Sequence, residues 1–177
     1  MYGYIETNPK AAQVATEEGV NVICGDIEEP LLLFSIHEKF DVILLMDVVE
    51  HLTKPVNTLI QLKQRVNPGG KIITTDPNVA YWAIRKNLLF GQWNYADSGI
   101  MDKTHLHFYT ASTWKALMEE AGYRVTSLKP VEGMVPFENF LFKSELLKES
   151  VGWLRHLAIT AAPELFTIVY LLEAIPT

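Results

Sequence analysis

The amino-acid sequence predicts an α/β fold in which a mostly parallel sheet carries helices on both faces. Short apolar segments typical of strands alternate with segments whose apolar residues recur at helical spacing. Such alternation is the pattern of parallel α/β sheets. Polar residues also follow directly after several of the strand segments, which is expected where the strands of an open sheet end at a ligand-binding edge.

The composition is that of one globular domain covering residues 1–177. The chain is 49% hydrophobic and 20% charged, which suits a single substantial core. Its length of 177 residues is too short for two ordinary domains. A net charge of −6 with scattered Lys and Arg argues against a nucleic-acid partner. The single Cys24 lies in the apolar segment 22–24 and is expected to be a small buried residue in a cytoplasmic protein.

The first half of the chain contains four predicted strands. A strand at Met1–Ile5 precedes a helix that starts at Asn8-Pro9, with Asn as N-cap, and ends at Gly19. The next strands follow in order at Asn21–Cys24, Asp41–Met46 and Lys71–Thr75. The third of these should be buried on both faces, as in a parallel sheet, and an amphipathic helix from Leu52 to Val66 separates it from the fourth.

The second half continues the alternation and closes with a strand. No segment is apolar for the ~20 residues that a membrane helix needs. The predicted elements are a helix at Ala80–Phe90, a polar and aromatic loop at 91–104, a helix from the N-cap Thr110 to Gly122, a strand at Tyr123–Leu128, a helix at Phe140–Ala158 and a last strand at Leu165–Leu172.

Acidic residues and a histidine follow the predicted strands. Glu6 ends the first strand, Gly25-Asp26 ends the second, and Asp47, Glu50 and His51 follow the third. On one helical turn the last three side chains span an arc of roughly 100°, so they could converge on one ligand. Asp76 and Asn78, after the fourth strand, are further candidates.

These motifs, in this order and with Pro68-Gly69-Gly70-Lys71 before the fourth strand, resemble class I S-adenosylmethionine-dependent methyltransferases. The segment Glu50-His51-Leu52 is similar to the subgroup that contains ubiquinone-biosynthesis O-methyltransferases and small-RNA 2′-O-methyltransferases. The resemblance implies a Rossmann-like fold with a reversed last strand near Leu165. It also implies methyl transfer to a small-molecule acceptor, with an oxygen as the expected methyl acceptor. The family's first strand and its glycine-rich loop would lie before Met1, so the chain is expected to be a fragment, unless another element takes the place of that strand. Without it, the strands at Met1–Ile5 and Asp41–Met46 are each expected to lose a neighbour and to expose apolar side chains.

The resemblance assigns cofactor roles to three carboxylates. Glu6 would bind the ribose hydroxyls of S-adenosylmethionine, as an acidic residue does in dinucleotide-binding folds. Asp26 would lie beside the adenine amino group, and Asp47 would line the cofactor pocket. The alternative for Glu6 is a solvated strand end, and Gly25-Asp26 is also an ordinary turn signal.

A divalent cation such as Mg²⁺ is a second expected cofactor. In some members of the subgroup, acidic residues and histidines hold such an ion, and here the candidates are Asp47, Glu50, His51 and His105. Two alternatives remain. His51 or His105 could be a general base without a metal, or His51 could only pack at the start of a helix.

The segment Gly91–Tyr109 is rich in aromatic and titratable residues, and it is expected either to cover the acceptor or to pack on the sheet edge. Two other functions remain open for the whole chain. One is a non-catalytic Rossmann-like interaction module, and the other is a nucleotide-sugar or NAD-binding protein.

Overall fold

The computed structural model describes residues 3–133 and 148–177, and it confirms the alternation of strands and helices. The elements are β1 (Tyr4–Glu6), α1 (Pro9–Glu17), β2 (Val22–Cys24), α2 (Pro30–Ser35), β3 (Phe40–Met46), a 3₁₀ turn (Val49–His51), α3 (Pro55–Lys63), β4 (Val66–Pro77), α4 (Trp82–Leu89), α5 (Ala111–Glu120), β5 (Tyr123–Gly133), α6 (Lys148–Ala161), α7 (Pro163–Phe166) and β6 (Thr167–Pro176).

The strands form two sheets. The larger has the order β3-β4-β6-β5, in which β3 and β4 are parallel and β6 is antiparallel to both of its neighbours. The reversed strand β6 therefore lies between strands that share one direction, which confirms the predicted α/β fold with its reversed last strand. Strands β1 and β2 pair in parallel as a separate two-stranded sheet.

One hydrophobic core holds the elements of both sheets together. Leu33 of α2, Leu45 of β3 and Ile72 of β4 meet Trp114 and Met118 of α5, all at most 3% exposed. Ile5 and Ile27, from the segments that contain β1 and follow β2, pack against the same core. Burial of each side chain of this size contributes roughly 1.5–3 kcal/mol to the free energy of folding. Since backbone pairing does not connect the two sheets, packing of side chains in this core joins them.

The expectation that β3 is buried on both faces is wrong. Leu45 is 3% exposed, but Val42, Leu44 and Met46, on the opposite face of the strand, are 44–61% exposed. The reason is that, among the described residues, β3 is an edge strand paired with β4 alone, and this agrees with the expectation that the strand lacks one neighbour. The expected burial of Cys24 is wrong for a similar reason, because this residue ends a short strand of a two-stranded sheet and is exposed.

Several element boundaries also differ from the prediction. Strand β4 begins at Val66 and includes Pro68-Gly69-Gly70, which was expected to be a turn before the strand. A side chain at Gly70 would approach the Asp41 carbonyl oxygen to 2.9 Å, so the close approach of β3 requires glycine there. The short helix α2 was not predicted. Of the predicted helix at 140–158, residues 140–147 lie outside the described residues.

The carboxylate of Glu28 links the segment after β2 to the start of α3. It accepts hydrogen bonds from the backbone N–H and the hydroxyl of Thr53, both at 2.8 Å, and from the N–H of Lys54 at 2.7 Å. These donors precede α3, whose N-cap Lys54 offers no side-chain cap of its own. One side chain therefore satisfies backbone groups that a helix start leaves without intrahelical partners.

We predict that Glu28→Ala lowers the free energy of unfolding by about 1.5 kcal/mol at pH 7, the lower end of the range for hydrogen bonds to a charged group, because Glu28 is partly exposed. Partial burial acts to raise the pKa of Glu28, but the hydrogen bonds from Thr53 and Lys54 outweigh it and hold that pKa below its usual value. A depressed pKa stabilises the fold above the unfolded-state pKa, and this stabilisation is lost as the pH falls through the folded-state pKa.

Urea unfolding at pH 7 and below about pH 4 measures this effect, and the difference between wild type and Glu28→Ala should shrink in acid. The matched control is Glu29→Ala, since Glu29 is exposed and its side chain makes no cap hydrogen bond. Equal destabilisation by the two variants would contradict the assignment.

Candidate functional site

The carboxyl ends of β3 and β4 lie side by side and carry the predicted polar residues. Met46 pairs with Thr75, and the next residue, Asp47, exchanges two hydrogen bonds with Thr75. The Asp47 N–H donates to the Thr75 hydroxyl oxygen at 3.0 Å, and that hydroxyl donates to the Asp47 carboxylate at 2.8 Å. Asp47 has a φ of 52°, a left-handed conformation that is costly for a residue other than glycine. These bonds hold the chain in that conformation where it leaves the sheet.

Glu50 is the most deeply buried acidic residue in this region. Its side chain is 1% exposed, and neither carboxylate oxygen has a hydrogen-bond partner among the described residues. Its carbonyl oxygen accepts the N–H groups of Leu106 at 2.9 Å and His107 at 3.1 Å, which fixes the later loop against the strand end. Burial raises the pKa of Glu50 to about 7, and the charge of Asp47 adds to the rise. The carboxyl can therefore gain or lose a proton near neutral pH.

Two histidine rings lie next to Glu50. His51 Nδ1 donates to the Thr104 carbonyl and His105 Nδ1 donates to the Ile100 carbonyl, each at 3.1 Å, because a carbonyl oxygen can only accept. In the neutral ring this leaves the lone pair on Nε2, and His105 Nε2 lies 3.9 Å from Glu50 Oε1. The backbone carbonyls thus set the tautomer, as they commonly do for metal-binding histidines.

Three of the four predicted metal ligands come together. Among the described residues, one candidate ligand atom from each of Glu50, His51 and His105 lies within 4.8 Å of the others, so these three could hold one metal ion. Asp47 is outside it and is bonded to Thr75 instead. One carboxylate and two imidazoles suit a divalent ion with open coordination positions. The buried, unpartnered oxygens of Glu50 also favour a cation there, because a buried charge needs a partner.

Asp76 and Tyr109 lie in the same site as Glu50 and the two histidines. Asp76 is 2% exposed, and neither its oxygens nor the Tyr109 hydroxyl has a partner among the described residues. Burial raises the pKa of Asp76 to about 9, with the charges of Glu50 and Asp47 adding to the rise. Burial also raises the pKa of Tyr109, and the charges of Asp76 and Glu50 raise it further.

The sequence pattern indicates these two residues only weakly. Asp76 stood out by its position at the end of β4, whereas Tyr109 is brought to the site by a backbone bridge with Asn78 that no local pattern reveals. Asn78 itself is structural. Its amide nitrogen donates to the carbonyls of Glu164 and Thr167, each at 2.9 Å, and its side-chain oxygen accepts the N–H of Ala80.

The two cofactor candidates on the smaller sheet lie at strand ends. Glu6 pairs with Cys24 at the end of β1, and its carboxylate accepts the N–H of Asn8 and the Tyr4 hydroxyl, each at 2.8 Å. The backbone bond from Asn8, followed by the bond from Tyr4, holds the pKa of Glu6 below its usual value. Asp26 is exposed and accepts the N–H of Glu28 at 2.8 Å, as in an ordinary turn.

The segment Gly91–Tyr109 folds over its own aromatic residues. Phe108 contacts the rings of Trp93, Tyr95 and His105, with centroid separations of 5.1–6.2 Å. Residues 91–99 are exposed, while Leu106 and His107 are bonded to the Glu50 carbonyl. The segment is therefore bound to the strand end at one side and open to solvent at the other.

Within the described residues, no helix is long and apolar enough to cross a membrane.

Comparisons with known proteins give the family and the fold. Residues 6–128 match the model of a family described as a methyltransferase domain. No curated protein sequence matches the chain. The fold is similar to a SAM-dependent methyltransferase from Archaeoglobus fulgidus, at 19% identity and a TM-score of 0.64, over 97% of this chain and 74% of the other.

Two further solved structures have the same fold. A putative methyltransferase from Bacillus halodurans is 17% identical, with a TM-score of 0.58 over 99% of this chain and 83% of the other. The N-methyltransferase NodS from Bradyrhizobium japonicum, solved with S-adenosyl-L-homocysteine, is 16% identical, with a TM-score of 0.54 over 98% of this chain and 66% of the other. Because the family model matches residues 6–128, the chain belongs to the methyltransferase-domain family and is an S-adenosylmethionine-dependent methyltransferase.

Proposed function

We propose that this methyltransferase transfers the methyl group to an oxygen of a small-molecule acceptor, as a cytoplasmic single-domain enzyme similar to the ubiquinone-biosynthesis O-methyltransferases. The observation that carries the proposal is the group formed by Glu50, His51 and His105 at the end of β3. It supplies a carboxyl with a pKa near neutral and imidazoles that can accept a proton or bind a cation. Both capacities serve a hydroxyl acceptor, whose proton must be removed or weakened.

The cofactor is proposed to bind across the strand ends of both sheets. Glu6 accepts hydrogen bonds from the ribose hydroxyls. The hydrogen bonds from Asn8 and Tyr4 favour this role because they hold the Glu6 carboxylate in one position. Asp26 lies beside the adenine, and Asp47 lines the pocket near the reacting methyl group. In the transfer the acceptor oxygen attacks the methyl carbon, the carbon–sulfur bond breaks, and its electron pair stays on sulfur as S-adenosylhomocysteine forms.

Glu50, His51 and His105 are proposed to hold a divalent cation such as Mg²⁺. The residues fit this ion because each histidine has its Nδ1 bound to a backbone carbonyl and its Nε2 available. When bound, the cation would supply Lewis-acid polarisation of the acceptor oxygen. The protein's part is to orient the rings and to exclude water around Glu50.

A metal-free alternative uses one of the same residues as the proton acceptor. His51 or His105 then receives the acceptor proton as the oxygen–carbon bond forms, and Glu50 beside His105 stabilises the resulting imidazolium. Chelation distinguishes the two mechanisms, and a pH–rate profile of His105→Ala tests the base.

We predict that Glu6→Ala weakens binding of S-adenosylhomocysteine by about 10- to 100-fold, the effect of losing a charged hydrogen-bond acceptor for the ribose hydroxyls. Calorimetric titration measures it. Glu18→Ala is the control, because Glu18 is an exposed acid that follows α1. Unchanged affinity in Glu6→Ala would remove the ribose assignment.

We predict that Mg²⁺ or Mn²⁺ binds to the chelator-treated protein and raises its melting temperature, and that Glu50→Gln abolishes this shift. The physical reason is that Glu50 is the one anionic member of the ligand group. Calorimetric titration of the ion and a thermal melt provide the measurement without requiring an acceptor.

The control for this experiment is Glu119→Gln, an exposed acid on α5 that should leave ion binding unchanged. A chelator-treated protein that binds no divalent ion and retains full methyl transfer would reject the metal and favour the histidine base. A protein that binds neither the ion nor S-adenosylhomocysteine would favour the non-catalytic alternative.

A further inference from the structure

Asp76 belongs to a polar cluster of which Glu50 is the one member that the proposed transfer chemistry uses. Strand pairing places Asp76 opposite Tyr170 of the antiparallel strand β6, so the two side chains lie on the same face of the sheet. Tyr109 approaches from the loop through its bridge to Asn78. We call Glu50, Asp76, Tyr109 and Tyr170 the acid–tyrosine cluster.

The cluster combines buried acids with phenol rings. Asp76 is 2% and Tyr170 is 3% exposed, and both carboxylate oxygens of Asp76 lack a hydrogen-bond partner within the described residues. The charges that act on Asp76 are those of Glu50 and Asp47, which are also acidic. A buried carboxyl whose charged neighbours are acids either stays protonated or is costly, unless a ligand supplies positive charge.

The residues around Asp76 favour an organic cation over a neutral donor. Tyrosine faces attract cations through their negative π-surface, and the attraction is stronger where water is excluded. A bound cation also favours the ionised form of the Asp76 carboxyl and attracts it through its charge, which a neutral donor does not do. The divalent ion proposed for Glu50, His51 and His105 does not satisfy Asp76, because Asp76 is not part of that group.

We propose that the acid–tyrosine cluster binds an ammonium group on the acceptor, so that Asp76 selects amine-bearing acceptors. The inference rests on the proposed function, because it assigns this cluster to the same acceptor whose oxygen is methylated. The ammonium donates to the Asp76 carboxylate and lies against Tyr109 and Tyr170. Because Asp76 is 2% exposed, the ammonium group reaches it only when neighbouring residues move.

The test uses tyramine and tyrosol, two phenols whose side chains end in an ammonium group and in a hydroxyl group. Both are titrated into the metal-free protein by calorimetry, with and without S-adenosylhomocysteine. Tyramine should bind at least about tenfold more tightly than tyrosol, as expected for a charge-assisted hydrogen bond in place of a neutral one. Asp76→Asn should remove this preference and leave the affinity for tyrosol within about twofold.

Asp97→Asn is the matched control, because Asp97 is exposed in the same loop and pairs with Lys103 on the surface. It should preserve the preference for tyramine. Equal binding of the two phenols by the wild-type protein, absence of tyramine binding, or an unchanged preference in Asp76→Asn would each overturn the inference. If Asp76→Asn fails to fold, the wild-type comparison of the two phenols still decides. Binding of S-adenosylhomocysteine in the same samples reports separately on the proposed function.

Discussion

The burial of Glu50 at the carboxyl end of β3 is the constraint on which the site depends. Its backbone carbonyl holds the loop at Leu106 and His107, while its carboxyl is left without a hydrogen-bond partner in the described part of the chain. The loop that covers Glu50 also brings His105 and Tyr109 to it. Burial, the raised pKa and the convergence of the histidines therefore have one cause, which is the docking of this loop on the strand end.

The fold supports that arrangement from two directions. Strand β4 lies between β3 and β6, so Asp47 and Thr75 are neighbours, and Asp76 faces Tyr170 across the next pairing. From the other side, Glu28 ties the segment after β2 to the residues that precede α3. The cofactor candidates on the smaller sheet and the acids on the larger one are thus connected by side-chain contacts, even though the two sheets share no strand pairing among the described residues.

Much of the site could be predicted because strand ends can be located from a local pattern. The apolar run before Asp47 predicts a strand, and the polar residues that follow a parallel strand lie at the ligand edge. Glu50, His51 and His105 were expected to converge, and the structure brings them together. Tyr109 could not be found in this way, since its position depends on a bridge to Asn78 that forms only in the tertiary structure. The exposed face of β3 and the exposure of Cys24 depend on which strands have neighbours, and apolar composition does not encode that.

The most direct test of the account is the pKa of the Glu50 carboxyl in the metal-free protein. Carbon NMR of the side-chain carboxyl groups, with Glu50→Gln to assign the signal, follows its ionisation as the pH is raised. A carboxyl buried beneath the docked loop should titrate near pH 7. A midpoint at the ordinary value of about 4.5 would show that Glu50 is solvated and that the loop does not enclose it, which would contradict the arrangement on which the proposed chemistry rests.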